Sequence, residues 1–132
     1  MERAICLAVV AIGLIAITPK SASAAVIKYE CVYSKEYSAT ENRLSDAEDF
    51  TMQFMVDTVT KKAFFVGNLG VEEVSLVEGF EGITFLETLP TGVVQTTTVS
   101  KSGRSIHSRH TIIAGEFVPS QSYGECKQTP SR

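Results

Sequence analysis

The chain has 132 residues, of which 44% are hydrophobic, and its 12 Lys and Arg against 15 Asp and Glu give a net charge of −3. This length suits a single domain. The mildly acidic balance argues against nucleic-acid binding, for which a basic face is the usual signature.

An export signal occupies the start of the chain. Arg3 precedes an apolar stretch from Ala4 to Ile17, and Ala22-Ser23-Ala24 supplies the small-x-small pattern that signal peptidase accepts. The apolar run of about 14 residues is shorter than the roughly 20 that a membrane-spanning helix needs. The sequence therefore predicts a cleaved signal peptide and no stable membrane insertion after cleavage.

We expect cleavage after Ala24, with Ala25 as a close alternative. The predicted organisation is then a signal peptide, residues 1–24, followed by one domain, residues 25–132, which keeps ten basic against fourteen acidic residues. A compact signal of this kind favours a bacterial protein located in the periplasm or secreted.

Two cysteines, Cys31 and Cys126, remain after cleavage and stand near the two ends of the domain. In an oxidising compartment such a pair is most simply a disulfide. A reactive thiol, a metal site and an intermolecular bridge are the alternatives, and no Cys-x-x-Cys motif supports them. The disulfide predicts that the first and last strands are neighbours.

Alternating apolar and polar residues predict strands through most of the domain. The segment from Ser34 to Asp49 is polar and predicts a long loop, with a helical turn from Ser45 as an option. Glycine-bearing turns separate the later segments. The predicted strands are Val26–Tyr33, Phe50–Asp57, Lys62–Asn68, Val71–Glu78, Ile83–Leu89, Val93–Ser100, Ser105–Ala114 and the short Tyr123–Cys126.

Strands spaced at about ten residues indicate an all-β fold, an antiparallel meander of about seven to eight strands. The clasp between the first and last strands favours closure into a small barrel, because closure removes exposed sheet edges. A β-sandwich is the alternative architecture.

The two histidines, His107 and His110, lie three residues apart and point to opposite faces of a strand, which argues against a shared metal ion. The isoleucines mark the face of His110 as inward. A two-residue turn at Ser102-Gly103 would pair Thr98 with His107, Thr97 with Ser108 and Gln95 with His110. The resulting candidate ligand site or polar network is Gln95, Thr97, Ser108 and His110; no cofactor is indicated.

A basic cluster follows a long stretch, between Lys62 and Lys101, that contains glutamates but neither Lys nor Arg. Complementary charges on neighbouring strands explain the pattern, and a docking face for a partner is the alternative. The candidate partner surface consists of Lys101, Arg104, His107 and Arg109.

The layout resembles that of the small periplasmic β-barrels that inhibit C-type lysozymes. The shared features are the export signal, Tyr29-Glu30-Cys31 near the mature start, the meander and Cys126 near the end. The resemblance implies a closed barrel and an inhibitory Ser-Gly-x-x-Tyr loop. The nearest match here is Ser102-Gly103-Arg104-Ser105-Ile106, where isoleucine replaces the tyrosine, so no site residue carries over.

We therefore expect a small exported, non-enzymatic binding or inhibitor module, whose partner is an envelope protein or a small ligand held in the barrel. The alternative from another class is a hydrolase-like enzyme that uses His110 with Ser108 or Glu87. The chain has no Gly-x-Ser-x-Gly motif, which argues against that alternative.

Overall fold

The computed structural model describes residues 25–131. The predicted signal peptide, residues 1–24, lies outside the described residues. Eight strands make up the fold: β1 (Val26–Ser38), β2 (Arg43–Asp57), β3 (Lys62–Gly67), β4 (Gly70–Glu78), β5 (Gly82–Thr88), β6 (Val94–Ser100), β7 (Arg104–Ile113) and β8 (Glu116–Ser131).

The strands form a closed antiparallel barrel in chain order, in which β8 returns to pair with β1. This confirms the predicted meander and its closure, and the sandwich alternative is not what forms. Residues 25–131 contain no helix that is long and apolar enough to cross a membrane.

The cysteines form the predicted disulfide between the first and last strands. Cys31 and Cys126 are directly opposite each other in the β1–β8 register, with their Cα atoms 3.9 Å apart, and both are buried. The bridge therefore fastens the two strands at the point where the barrel closes.

Side chains fill the barrel interior. In β2, the inward positions Met52, Phe54 and Val56 are buried and alternate with more exposed neighbours. Phe54 stacks on Phe85 with ring centroids 4.2 Å apart, and Tyr29 meets the edge of Phe85 at 5.4 Å. A small barrel whose interior is packed in this way has a core and no lumen.

The prediction of a long loop from Ser34 to Asp49 is wrong. β1 continues to Ser38 and β2 already begins at Arg43, with an irregularity in the pairing between Tyr33 and Lys35. Most of these residues are exposed on both faces, so the strand has no apolar alternation by which the sequence would reveal it.

The predicted length of the last strand, Tyr123–Cys126, is also wrong, because β8 has 16 residues. Its outer half pairs with the end of β7, and much of it is exposed. Both corrections involve the end of the barrel called here the open end, which carries the turns at 39–42, 68–69, 89–93 and 114–115. β8 also extends at the opposite end, where residues 127–131 pair with residues 26–30 of β1.

Candidate functional site

The pairing of β6 with β7 differs by one residue from the predicted register. Thr97 lies opposite His107 and Gln95 opposite Arg109. The connection contains three residues rather than two: Gly103 has a φ of +87° and its N–H donates to the carbonyl of Ser100 at 2.9 Å. A turn followed by a left-handed glycine is the usual three-residue hairpin.

The shift exchanges the two faces of β7, because side chains alternate along a strand. His107 is buried and points inward, whereas His110 is exposed on the outer face together with Ser108. The four candidate residues Gln95, Thr97, Ser108 and His110 are therefore not brought together: the first two point inward and the last two outward.

A buried polar network occupies the inward position instead. The Thr97 hydroxyl lies 2.8 Å from Nδ1 of His107, and the Tyr33 hydroxyl lies 2.8 Å from that of Ser105. The Ser105 hydroxyl donates to the carbonyl of Thr98 at 3.0 Å. No buried side-chain nitrogen or oxygen within residues 25–131 lacks a hydrogen-bond partner. The network is thus internally satisfied, which is what a structural role requires.

Burial sets the protonation of this network. Burial, with a smaller contribution from the charge of Arg109, lowers the pKa of His107 to about 4. Burial also raises the pKa of the Tyr33 phenol. Both side chains are therefore neutral at neutral pH.

A polar cluster with three charged side chains lies above this network at the open end. Glu72, Glu87, Gln95 and Arg109 share the inward face with buried residues of their own strands. Burial raises the pKa of Glu87, the carboxylate of Glu72 raises it further, and Arg109 opposes the shift. No group of three or more metal-ligating side chains occurs within the described part of the chain.

The candidate partner surface is dispersed. Lys101 lies in the β6–β7 turn and Arg104 is exposed at the start of β7. Arg109 is exposed at the open end, and the inclusion of His107 is wrong because that side chain is 2% exposed. The shift in register explains the error for His107, since it places that side chain on the buried inward face.

The alternative hydrolase residues also lie apart. Ser108 and His110 belong to the outer face of β7, whereas Glu87 belongs to the inner face of β5. The barrel wall separates the carboxylate from the histidine with which it would have to act.

Shallow grooves are found outside the barrel. One of about 240 Å³ lies along the outer face at the open end and is lined by Tyr37, Ser108, His110 and Pro119. Another of about 410 Å³ lies between β6, β7 and β8 beside Ile106 and Tyr123. Neither reaches the apolar core, where a small ligand inside the barrel would sit.

The sequence pattern did not reveal that a two-stranded ribbon projects from the barrel. The pairing of β6 with β7 ends at Gln95 and Arg109, and the pairing of β1 with β8 ends at Ser38 and Ser120. Residues 110–119, named here the β7–β8 ribbon, therefore pair only with each other among the described residues. The ribbon extends beyond the barrel at the open end.

Large apolar side chains cover this ribbon. The exposed fractions are 47% for Ile112, 59% for Ile113, 74% for Phe117 and 44% for Val118. They place large exposed apolar side chains on both faces of the hairpin, and a concentration of exposed apolar surface is typical of an interaction site. The signal in the sequence was the run of apolar residues on either side of Ala114-Gly115.

The hairpin turn makes the ribbon well defined. Ala114 and Gly115 both have positive φ, +51° and +86°, and join Ile113 directly to its partner Glu116. This is the two-residue type I′ geometry whose twist matches that of the flanking strands. The tip is thus a tight hairpin rather than a loose loop.

Comparisons of this chain with protein-family models, with curated proteins and with solved structures found no match. The case for a functional site therefore rests on the geometry of the open end.

Proposed function

We propose that this chain is an exported, non-enzymatic module that binds another protein through the β7–β8 ribbon. The observation that carries the proposal is the exposure of Ile112, Ile113, Phe117 and Val118 on a hairpin that projects from a filled barrel. Burying such side chains against a partner is favourable by about 25 cal/mol per Å² of apolar surface.

The packed interior favours a protein partner over a small ligand held within the barrel. The inward positions of the strands are occupied by the core around Phe54 and Phe85, and the buried His107 is engaged with Thr97. An outer surface is therefore the better candidate for recognition.

Two features support export. The predicted signal peptide precedes the domain, and the Cys31–Cys126 disulfide is of the type that persists in oxidising compartments. The periplasm is the proposed location, and secretion is the alternative.

The test expresses the full chain in a bacterial host and uses the exported protein to capture partners from envelope extract. The bait should have the mass of residues 25–132 with one disulfide. We expect the wild-type bait to recover a defined partner and the double variant Ile112→Ser, Phe117→Ser to lose it at least tenfold.

The matched control is Val59→Ser, which alters a side chain that is 56% exposed in the turn between β2 and β3, at the end of the barrel away from the ribbon. Equal capture by the ribbon variant and the control would refute binding through the ribbon. A bait that stays in the cytoplasm with residues 1–24 attached would refute export.

A further inference from the structure

We infer that the partner holds the β7–β8 ribbon in an apolar cleft that encloses both of its faces and has a basic rim. This inference rests on the proposed function and specifies the partner's surface.

The ribbon carries apolar side chains on both faces. Ile112 lies opposite Phe117 on the outer face, whereas Ile113 and Val118 belong to the inner face. All four are at least 44% exposed. A hairpin that lies on a flat surface desolvates one face only, and sheets with one solvated face alternate apolar with polar residues. An apolar residue on each face indicates contact on both sides.

A proline interrupts the free edge of β8. The N–H of Cys126 donates to Gly103, so the even residues of β8 direct their backbone groups toward β7 and the odd ones away from it. Pro119 is odd and has no N–H to offer at the free edge. An added partner strand would lose a hydrogen bond there, which disfavours strand addition at this edge and favours a cleft that takes the ribbon as a two-stranded unit.

Acidic side chains outnumber basic ones beside the ribbon. The β1–β2 hairpin pairs, through the end of β1, with β8 at the base of the ribbon. Residues 35–49 hold five acidic and two basic side chains. Both basic groups already form ion pairs, Lys35 with Asp46 at 3.8 Å and Arg43 with Glu41 at 3.3 Å. The surplus is therefore negative, and a partner seated on the ribbon would meet it with basic residues.

The same surplus argues against a lipid bilayer as the occupant. A ribbon inserted into a membrane would bring the acidic hairpin up to the headgroups, and anionic lipid in the leaflet that the protein faces would repel it. A protein cleft with a basic rim satisfies both the apolar and the charged parts of the open end.

The experiment places a photo-crosslinking amino acid at Phe117 in one variant and at Val118 in another, because these neighbours point to opposite faces. Each full-length exported variant is irradiated in envelope extract. We expect both positions to crosslink the same protein, at two separate peptides. Crosslinks from one face only would overturn the cleft while leaving the proposed function intact.

Crosslinks from neither face would overturn the proposed function itself. Binding of the unirradiated protein to vesicles of phosphatidylethanolamine and phosphatidylglycerol, lost in Phe117→Ser, would overturn the protein cleft in favour of a lipid.

The rim is tested by reversing charge. Glu36→Lys, opposite Ser122 near the base of the ribbon, with Glu41→Lys in the 39–42 turn at the open end, should slow association with the crosslinked partner about tenfold and flatten its salt dependence, because rim charges act mainly on the association rate. The control pair Glu81→Lys with Glu125→Lys, exposed and outside the 35–49 segment, should change neither. Equal effects of the two pairs would refute a basic rim.

Discussion

At the scale of the residue, the protonation state of His107 affects the stability of the barrel. It is 2% exposed, bonded to Thr97 through Nδ1, and lies near the Tyr33 and Phe50 rings with centroids about 6 Å away. Charging it would place an imidazolium in an apolar setting beside Arg109. The side chain is therefore a neutral structural element whose protonation opposes folding.

The first prediction is that stability falls as the pH drops from 6.5 toward 4. The pKa of His107 is about 4 in the folded protein and 6.5 in the unfolded chain, so the unfolded state binds the proton first. The loss reaches about 3 kcal/mol when the pH reaches the folded pKa.

Urea unfolding of the wild type and of His107→Gln between pH 7 and 4 checks this prediction. Glutamine keeps a polar group for Thr97 but does not titrate, so its slope with pH should be shallower than that of the wild type. His110→Gln, on the exposed outer face, is the matched control and should retain the wild-type slope. Identical slopes in all three proteins would contradict the assignment to His107.

At the scale of the element, the connections determine which face each residue occupies. The alternation in β2 was enough to predict its inward face, since Met52, Phe54 and Val56 are apolar and their neighbours are mostly polar. The β6–β7 hairpin was not predictable in this way, because serine and threonine occupy both of its faces. Its register depends on Gly103, and a sequence of Lys-Ser-Gly permits turns of either two or three residues.

The second prediction concerns Gly124, which lies opposite Tyr33 where the β1–β8 pairing becomes irregular. A Cβ at this position would collide with the backbone carbonyl of Val32. Because backbone cannot move aside as a flexible side chain does, we expect Gly124→Ala to lower the free energy of unfolding by about 3 kcal/mol.

Chemical denaturation measures this loss. Gly79→Ala is the matched control, since its added Cβ would have its nearest contact, the carbonyl of Gly82, at 3.4 Å, and should change stability by less than about 0.5 kcal/mol. A Gly124→Ala protein as stable as the control would show that the β1 and β8 backbones are further apart than described.

At the scale of the whole molecule, closure was predictable and the asymmetry of the barrel was not. Two cysteines near the ends of the domain led directly to adjacent first and last strands. The ribbon, in contrast, arises because β7 extends past the end of its pairing with β6 and β8 extends past the end of its pairing with β1. The relative lengths of neighbouring strands cannot be read from the alternation within each strand. The apolar residues around Ala114-Gly115 read equally well as a buried strand end.

The third prediction tests what closure contributes. The disulfide joins residues 95 apart in sequence, and a loop of this size removes about 4–5 kcal/mol of conformational free energy from the unfolded state. The double variant Cys31→Ala, Cys126→Ala should be less stable than the wild type by about that amount.

Thermal and denaturant unfolding with and without a reductant provide the measurement. Reduction should lower the stability of the wild type to near that of the double variant and leave the double variant unchanged. A wild type that is insensitive to complete reduction would contradict a stabilising role for the bridge.

Val26 in the first strand pairs with Ser131 in the last strand. Because the two ends of the described chain are neighbours in one ladder, the strands form a closed ring. The order of the strands around this ring does not depend on which strand comes first in the chain. Joining these ends and reopening the chain at the Thr58–Lys61 turn gives a circular permutant in which β1 and β8 gain a connection, β2 and β3 lose theirs, and the other six pairs of neighbouring strands keep theirs. Both junctions then lie at the end opposite the open one, so the permutant presents the same hairpin to a partner.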